Sequence, residues 1–89
     1  MKELHLNLKH KWYDMIASGE KTEEYRDIKP YYSDRFYNNH YTHVVFHKGY
    51  TNETMTFVKK SVTIGTGKPE WGAEPNIRYF VIKLGERIK

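Results

Sequence analysis

The hydrophobic period of this chain changes twice within its first 26 residues, and that limits the possible folds more than any other feature. In "KELHLNL", Leu4, Leu6 and Leu8 recur at every second position, the spacing of one buried face of a β-strand. From His10 the spacing lengthens. Trp12, Met15 and Ile16 stand at i, i+3 and i+4, and Gly19 follows where a helix C-terminus favours positive φ. This pattern predicts a short helix over about residues 10–18. "KTEEYR" then resumes alternation, with Thr22, Glu24 and Arg26 on one strand face and Glu23 and Tyr25 on the other.

The rest of the chain continues in short strands. Pro30 fits the first turn of a second short helix, which would carry Tyr32 and Phe36 on one side. "THVVFHK" is β-branched and aromatic, hence a strand, and "GYTNE" is the turn after it. In "TMTFVKKSVTIG" the apolar parity changes between Phe57 and Val62, which predicts a bulge or corner near Lys59–Ser61, as where a barrel bends its strands. "GTGKPEWGAEPN" is predicted to be a loop, and "IRYFVIKL" a last strand with Phe80, Ile82 and Leu84 turned inward. The expected class is α+β: a small, partly open β-barrel of about five strands with one or two short helices at one side. At 89 residues, without repeat or linker, the chain is expected to form a single domain over residues 1–89.

Cysteine is absent, so neither disulfides nor thiolate metal sites can staple the fold. Packing must hold it, and eight tyrosines, four phenylalanines and two tryptophans supply large rings for a small core. "MKELHLNLKH" has no continuous apolar run, so neither a signal peptide nor a membrane span is expected. Together with the missing cysteines this makes a cytoplasmic location, without a membrane partner, the expectation. A formal charge of +4 favours anionic partners mildly, and solubility accounts for it equally well.

Several patterns can be weighed for chemistry. His43 and His47 have the look of a metal pair, but residues four apart on a strand are separated by roughly 13 Å. No metal and no cofactor are expected. "GTGK" lacks the spacer and the Ser or Thr of a phosphate loop, since Pro69 follows the lysine. It reads either as a rim beside a cleft, with Trp71 free to stack, or as a plain connection in which Trp71 plugs the barrel end. With no Gly-x-Ser-x-Gly elbow and no cysteine, serine- or cysteine-type covalent catalysis has no recognisable signature, and a lysine or threonine nucleophile stays open. The densest charge lies in "MIASGEKTEEYRDIKP". There Gly19 makes a turn, Lys21 stands at its exit, and Glu24 and Arg26 share a strand face about 7 Å apart. Such a group either lines a polar site or forms a solvated salt-bridge patch on an edge strand. Strict alternation points Lys21 away from Glu24 unless the turn redirects it. Glu20, Glu23 and Lys29 are assigned to solvent.

Gly19-x-Lys21-x-x-Glu24-x-Arg26 resembles the GxKxxExR signature of the ASCH domain, a family within the PUA-like superfamily of small RNA-associated barrels. The order of elements is similar too: a leading strand, a helix bearing "WYDMIASG", the signature strand, and a final "YFVIKLGE" strand. The resemblance implies a PUA-like β-barrel with a cleft beside the first helix, suited to RNA or a nucleotide-like ligand. Lys21 and Arg26 would then meet phosphate or a base edge, Glu24 would accept from an exocyclic amine or orient Arg26, and Gly19 would be structural. Tyr25 goes to packing. Tyr50 and Trp71, by residue type and loop position, are the candidates for base stacking.

Some bacterial ASCH proteins of similar size are amidohydrolases that deacetylate N4-acetylcytidine, with threonine where this chain has Glu24. On that alternative reading Lys21 and Glu24 are the catalytic residues. Thr22 would act as nucleophile or Glu24 as base for water, with Glu70 or Glu74 as the second carboxylate. A third reading is an interaction module whose signature only stabilises the fold.

Overall fold

The computed structural model describes residues 2–89. Leu4, Leu6 and Leu8 are all buried on the inner face of β1 (Glu3–Leu8), as their spacing requires. Lys9 is extended and ends the strand, and α1 (His10–Ala17) follows directly. Its most deeply buried residues are Tyr13 and Ile16, with Trp12 at the edge of the core. Tyr13 therefore takes the central position that the spacing gave to Trp12 and Met15. Gly19, at φ +87°, turns the chain out of the helix.

The remaining elements are β2 (Glu23–Arg26), α2 (Pro30–Asn38), β3 (His43–Lys48), β4 (Thr54–Thr66) and β5 (Arg78–Arg87). Proline opens α2 within its first turn, where a missing N–H costs nothing. One sheet contains all five strands in the order β1-β3-β4-β5-β2 and curls into a half-barrel. The β1–β3 pair is parallel and the other three are antiparallel. The β4–β5 register shifts between Phe57 and Lys59 and again between Lys59 and Ser61, which puts the corner where the parity change predicts it.

The inner face carries Leu4, Leu6, Leu8, Val44, Phe46, Met55, Phe57 and Ile82, and α1 closes it with Tyr13 and Ile16. Each such side chain contributes roughly 1.5–3 kcal/mol on full burial. From α2, Phe36 meets Phe80 edge-on at 4.9 Å and stacks with Tyr32 at 6.2 Å.

Two expectations need correction. Gly65 and Thr66 belong to β4, and Pro69–Trp71 forms a 3₁₀ turn, so "GTGKPEWGAEPN" is not all loop. In β5, Tyr79, Phe80, Val81 and Ile82 are all buried rather than alternate residues only. The strand lies between β4 and β2, and Tyr25 packs 6.0 Å from Tyr79 on the face turned away from the core. Among the described residues, no helix is long and apolar enough to cross a membrane.

Candidate functional site

The turn at Gly19 decides where Lys21 goes. Lys21 N–H donates to the Met15 carbonyl at 3.0 Å, which folds the segment back against α1, and β2 begins only at Glu23. Lys21 therefore precedes the strand and escapes its alternation. Its Nζ lies 2.9 Å from Glu24 Oε1 and donates to the Trp71 carbonyl at 2.7 Å. Glu24 stands opposite Ile82 in the β2–β5 ladder and faces the barrel interior.

Arg26 holds the other carboxylate oxygen. Its Nε donates to Glu24 Oε2 at 3.0 Å, and Nη2 lies 2.7 Å from the same atom. Nη1 donates to the Tyr32 hydroxyl at 3.1 Å, and Nη2 donates to the Asn7 carbonyl at 2.8 Å. Lys21, Glu24 and Arg26 thus converge, as a cation–carboxylate–cation chain running from the 3₁₀ turn to the edge of β1.

Burial grades along this chain. Lys21 is 2% exposed and Glu24 6%, while the Arg26 side chain keeps 17%. The Trp12 and Tyr25 rings flank the Lys21 ammonium at 4.6 and 5.6 Å and supply π-faces in place of water. Burial by itself lowers the Arg26 pKa, but the Glu24 charge and the Tyr32 hydroxyl outweigh it and raise the pKa above its ordinary value. Removing such charges from water costs several kcal/mol per ion, so the network is favourable only because its members satisfy one another. No buried side-chain nitrogen or oxygen among the described residues lacks a partner.

This arrangement limits the chemistry. Both Glu24 oxygens are engaged, and Lys21 is locked between carboxylate, carbonyl and two rings. Arg26 is the member that reaches the surface, and the second hydrogen of its Nη1 has no partner among the described residues.

The other predicted residues divide between two places. Trp71 serves Lys21 through its backbone carbonyl, and its half-buried ring lies 4.2 Å from the Lys68 ammonium. Tyr50 is fully exposed on the turn after β3 and does not join the network. It borders a cleft of about 350 Å³ with Asn7, Leu8, Lys9 and Gly49. Asn7 is the residue whose carbonyl Arg26 holds, so the cleft and the network meet there. Thr22, Glu70 and Glu74 are exposed.

Glu23, assigned to solvent above, is half-buried and accepts from the Tyr25 hydroxyl at 2.9 Å. The Tyr25 oxygen in turn accepts from Lys68 N–H at 3.0 Å. Gly67 permits this approach, since a Cβ there would sit 2.7 Å from the Tyr25 ring and from Ala73 Cβ. Sequence reasoning missed Asn7 and Tyr32 as members of the site. Asn7 takes part through its carbonyl, which leaves no side-chain signal, whereas the sequence places Tyr32 with Phe36 on one side of α2.

No family model matches the chain, and neither a curated protein nor a solved structure matches it.

Proposed function

We propose that this chain is a cytoplasmic ASCH-type domain that binds RNA or a nucleotide-like ligand where the barrel seam meets the Asn7–Lys9–Tyr50 cleft. The observation that carries this reading is the shared position of Asn7: its carbonyl is held by Arg26, and its side of the seam borders the cleft with Lys9 and Tyr50. In this reading Lys21 and Glu24 position Arg26 rather than touch the ligand. A guanidinium already fixed by Glu24, Tyr32 and Asn7 loses little freedom on meeting a phosphate, which favours affinity. Lys9 adds a second cation, and Tyr50 offers an exposed ring for a base.

The test is fluorescence anisotropy of short single-stranded RNA across a salt series. Affinity should fall with salt, because phosphate contacts release counterions. Tyr50→Ala should weaken binding by about tenfold through lost stacking, and Lys9→Ala should reduce the salt slope by about one. Binding that ignores salt and both substitutions would sink the reading. Deacylation has less support, because Lys21 and Glu24 would have to part before either served as nucleophile or base. Acetate release from N4-acetylcytidine that disappears in Lys21→Ala would reinstate it.

A further inference from the structure

We infer that His5 and His47 form a binding site for a divalent transition cation of the zinc class, on the outer face of the β1–β3 pair. His43 and His47 are too far apart along one strand to share an ion, but the parallel register places Asn7 opposite His47 and brings His5 diagonally to it. His5 Nδ1 and His47 Nε2 lie 2.8 Å apart, with ring centroids at 5.1 Å and planes tilted by 39°. Together with Asn7 the two imidazoles line a cleft of about 220 Å³ open to solvent.

Two nitrogens bound to one zinc at about 2.0–2.1 Å in tetrahedral geometry stand roughly 3.3 Å apart. The pair needs to open by about half an ångström to reach that spacing. The His5 side chain is 55% exposed, so it has room to turn. Glu3 Oε1 lies 3.6 Å from His5 Nε2, on the far side of the ring. A small turn of the ring would bring Nε2–H within hydrogen-bond reach of that carboxylate and leave the Nδ1 lone pair for the metal, as outer carboxylates do for metal-bound histidines. The 2.8 Å contact needs one ring to donate and the other to accept, so one proton lies between them in the metal-free pair. On metal binding that proton passes through solvent to the other nitrogen of its own ring, and both facing nitrogens are free to ligate. Both ligands stay neutral and no net charge is lost from the rings. Two imidazoles leave the remaining coordination positions to water, so this is an open site, and among the described residues no third His, Asp or Glu joins them to close it. Imidazole donors select zinc, copper or nickel over magnesium and calcium.

Zinc binding here stands apart from the nucleotide reading, although Asn7 borders both clefts. It is tested by titrating the full chain with zinc chloride by calorimetry, alongside a thermal melt. One zinc should bind per chain and raise Tm, because residues far apart in sequence present the pair only in the folded state. His5→Ala and His47→Ala should each weaken binding by about tenfold or more, Glu3→Gln by less, and His40→Ala, on an exposed position outside the pair, not at all. Magnesium chloride should give no shift. Imidazole NMR of the unsubstituted chain provides a readout that needs no variant: zinc should move the His5 and His47 ring signals and leave His40 in place. Absence of zinc binding, zinc binding retained in His47→Ala, or ring shifts confined to other histidines would each overturn the inference.

Discussion

The Nη2 of Arg26 on β2 lies 2.8 Å from the carbonyl oxygen of Asn7 on β1, so one side chain joins the two strands at opposite ends of the sheet order. Those strands pair with β5 and β3 respectively and not with each other. A half-barrel that ends this way leaves an unpaired carbonyl at its seam, and a guanidinium is suited to meet it because its fork reaches several acceptors at once. Glu24 behind it neutralises the charge, and Lys21 balances Glu24 from the other side. The network is therefore a seam closure first, and whatever ligand surface it offers comes from the exposed edge of Arg26.

Removing Arg26 should open the seam. Arg26→Ala strips a partner from a buried carboxylate and frees the Asn7 carbonyl, which should cost about 3 kcal/mol, or roughly 12–24 °C of Tm in a domain this small. Arg26→Lys keeps a cation but cannot bond Glu24, Tyr32 and Asn7 together, so about half that loss is expected from the missing hydrogen bonds. Urea denaturation of the two variants decides it. Equal stabilities for Arg26→Lys and the unsubstituted chain would mean that the fork is dispensable.

Glu24 should matter more to stability than either cation. Glu24→Gln leaves two cations side by side, one of them Lys21 at 2% exposure, and should cost about 3–5 kcal/mol. Lys21→Met is milder, about 2 kcal/mol, because Glu24 retains Arg26 and the apolar stem is replaced among Trp12 and Tyr25. A double-mutant cycle on Lys21→Met and Glu24→Gln should return a coupling above about 1 kcal/mol. Additive losses would show that the 2.9 Å contact contributes nothing of its own.

The parts of this fold that were legible in the sequence are the local ones. The leucine alternation of β1, the Gly19 turn, the proline at the start of α2 and the parity change in β4 each follow from neighbouring residues, and each stands where the pattern puts it. Lys21 was left undecided because alternation applies only inside a strand, and its direction depends on a bond from its N–H back to Met15. The Trp71 carbonyl, fifty positions further on, and the Asn7 carbonyl carry no side-chain signal at all. The His5–His47 pair depends on the parallel β1–β3 register, which nothing in either segment specifies alone.

Gly67 and Gly65 should respond oppositely to alanine. At Gly67 a Cβ would lie 2.7 Å from Ala73 Cβ and from the Tyr25 ring, both packed, so Gly67→Ala should cost about 1–3 kcal/mol. It should also loosen the turn that presents the Trp71 carbonyl to Lys21. At Gly65 nothing lies within 4 Å of an added Cβ, and Gly65→Ala should be neutral or stabilising by up to about 1 kcal/mol. Thermal melts of the two variants settle the contrast, and a Gly67→Ala protein as stable as Gly65→Ala would mean that the loop can move aside freely.

Tyr25 should make the fold sensitive to alkali. Its pKa is pushed from 10.0 up to about 12, chiefly by burial; the hydrogen bond from Lys68 N–H opposes this, and the Glu23 carboxylate adds to it. The folded chain therefore keeps the phenolic proton at a pH where the unfolded chain has lost it. A raised native pKa gives stability that is complete below the unfolded value of 10.0 and is lost as pH rises towards about 12. Tyr25→Phe cannot ionise, so this component of the decline should vanish, although the variant starts from a lower stability because the bonds to Glu23 and Lys68 are gone. Urea midpoints measured from neutral pH up to about pH 11 for both proteins separate the two effects, the first as a slope and the second as an offset. Parallel curves over the alkaline limb would remove Tyr25 as their cause.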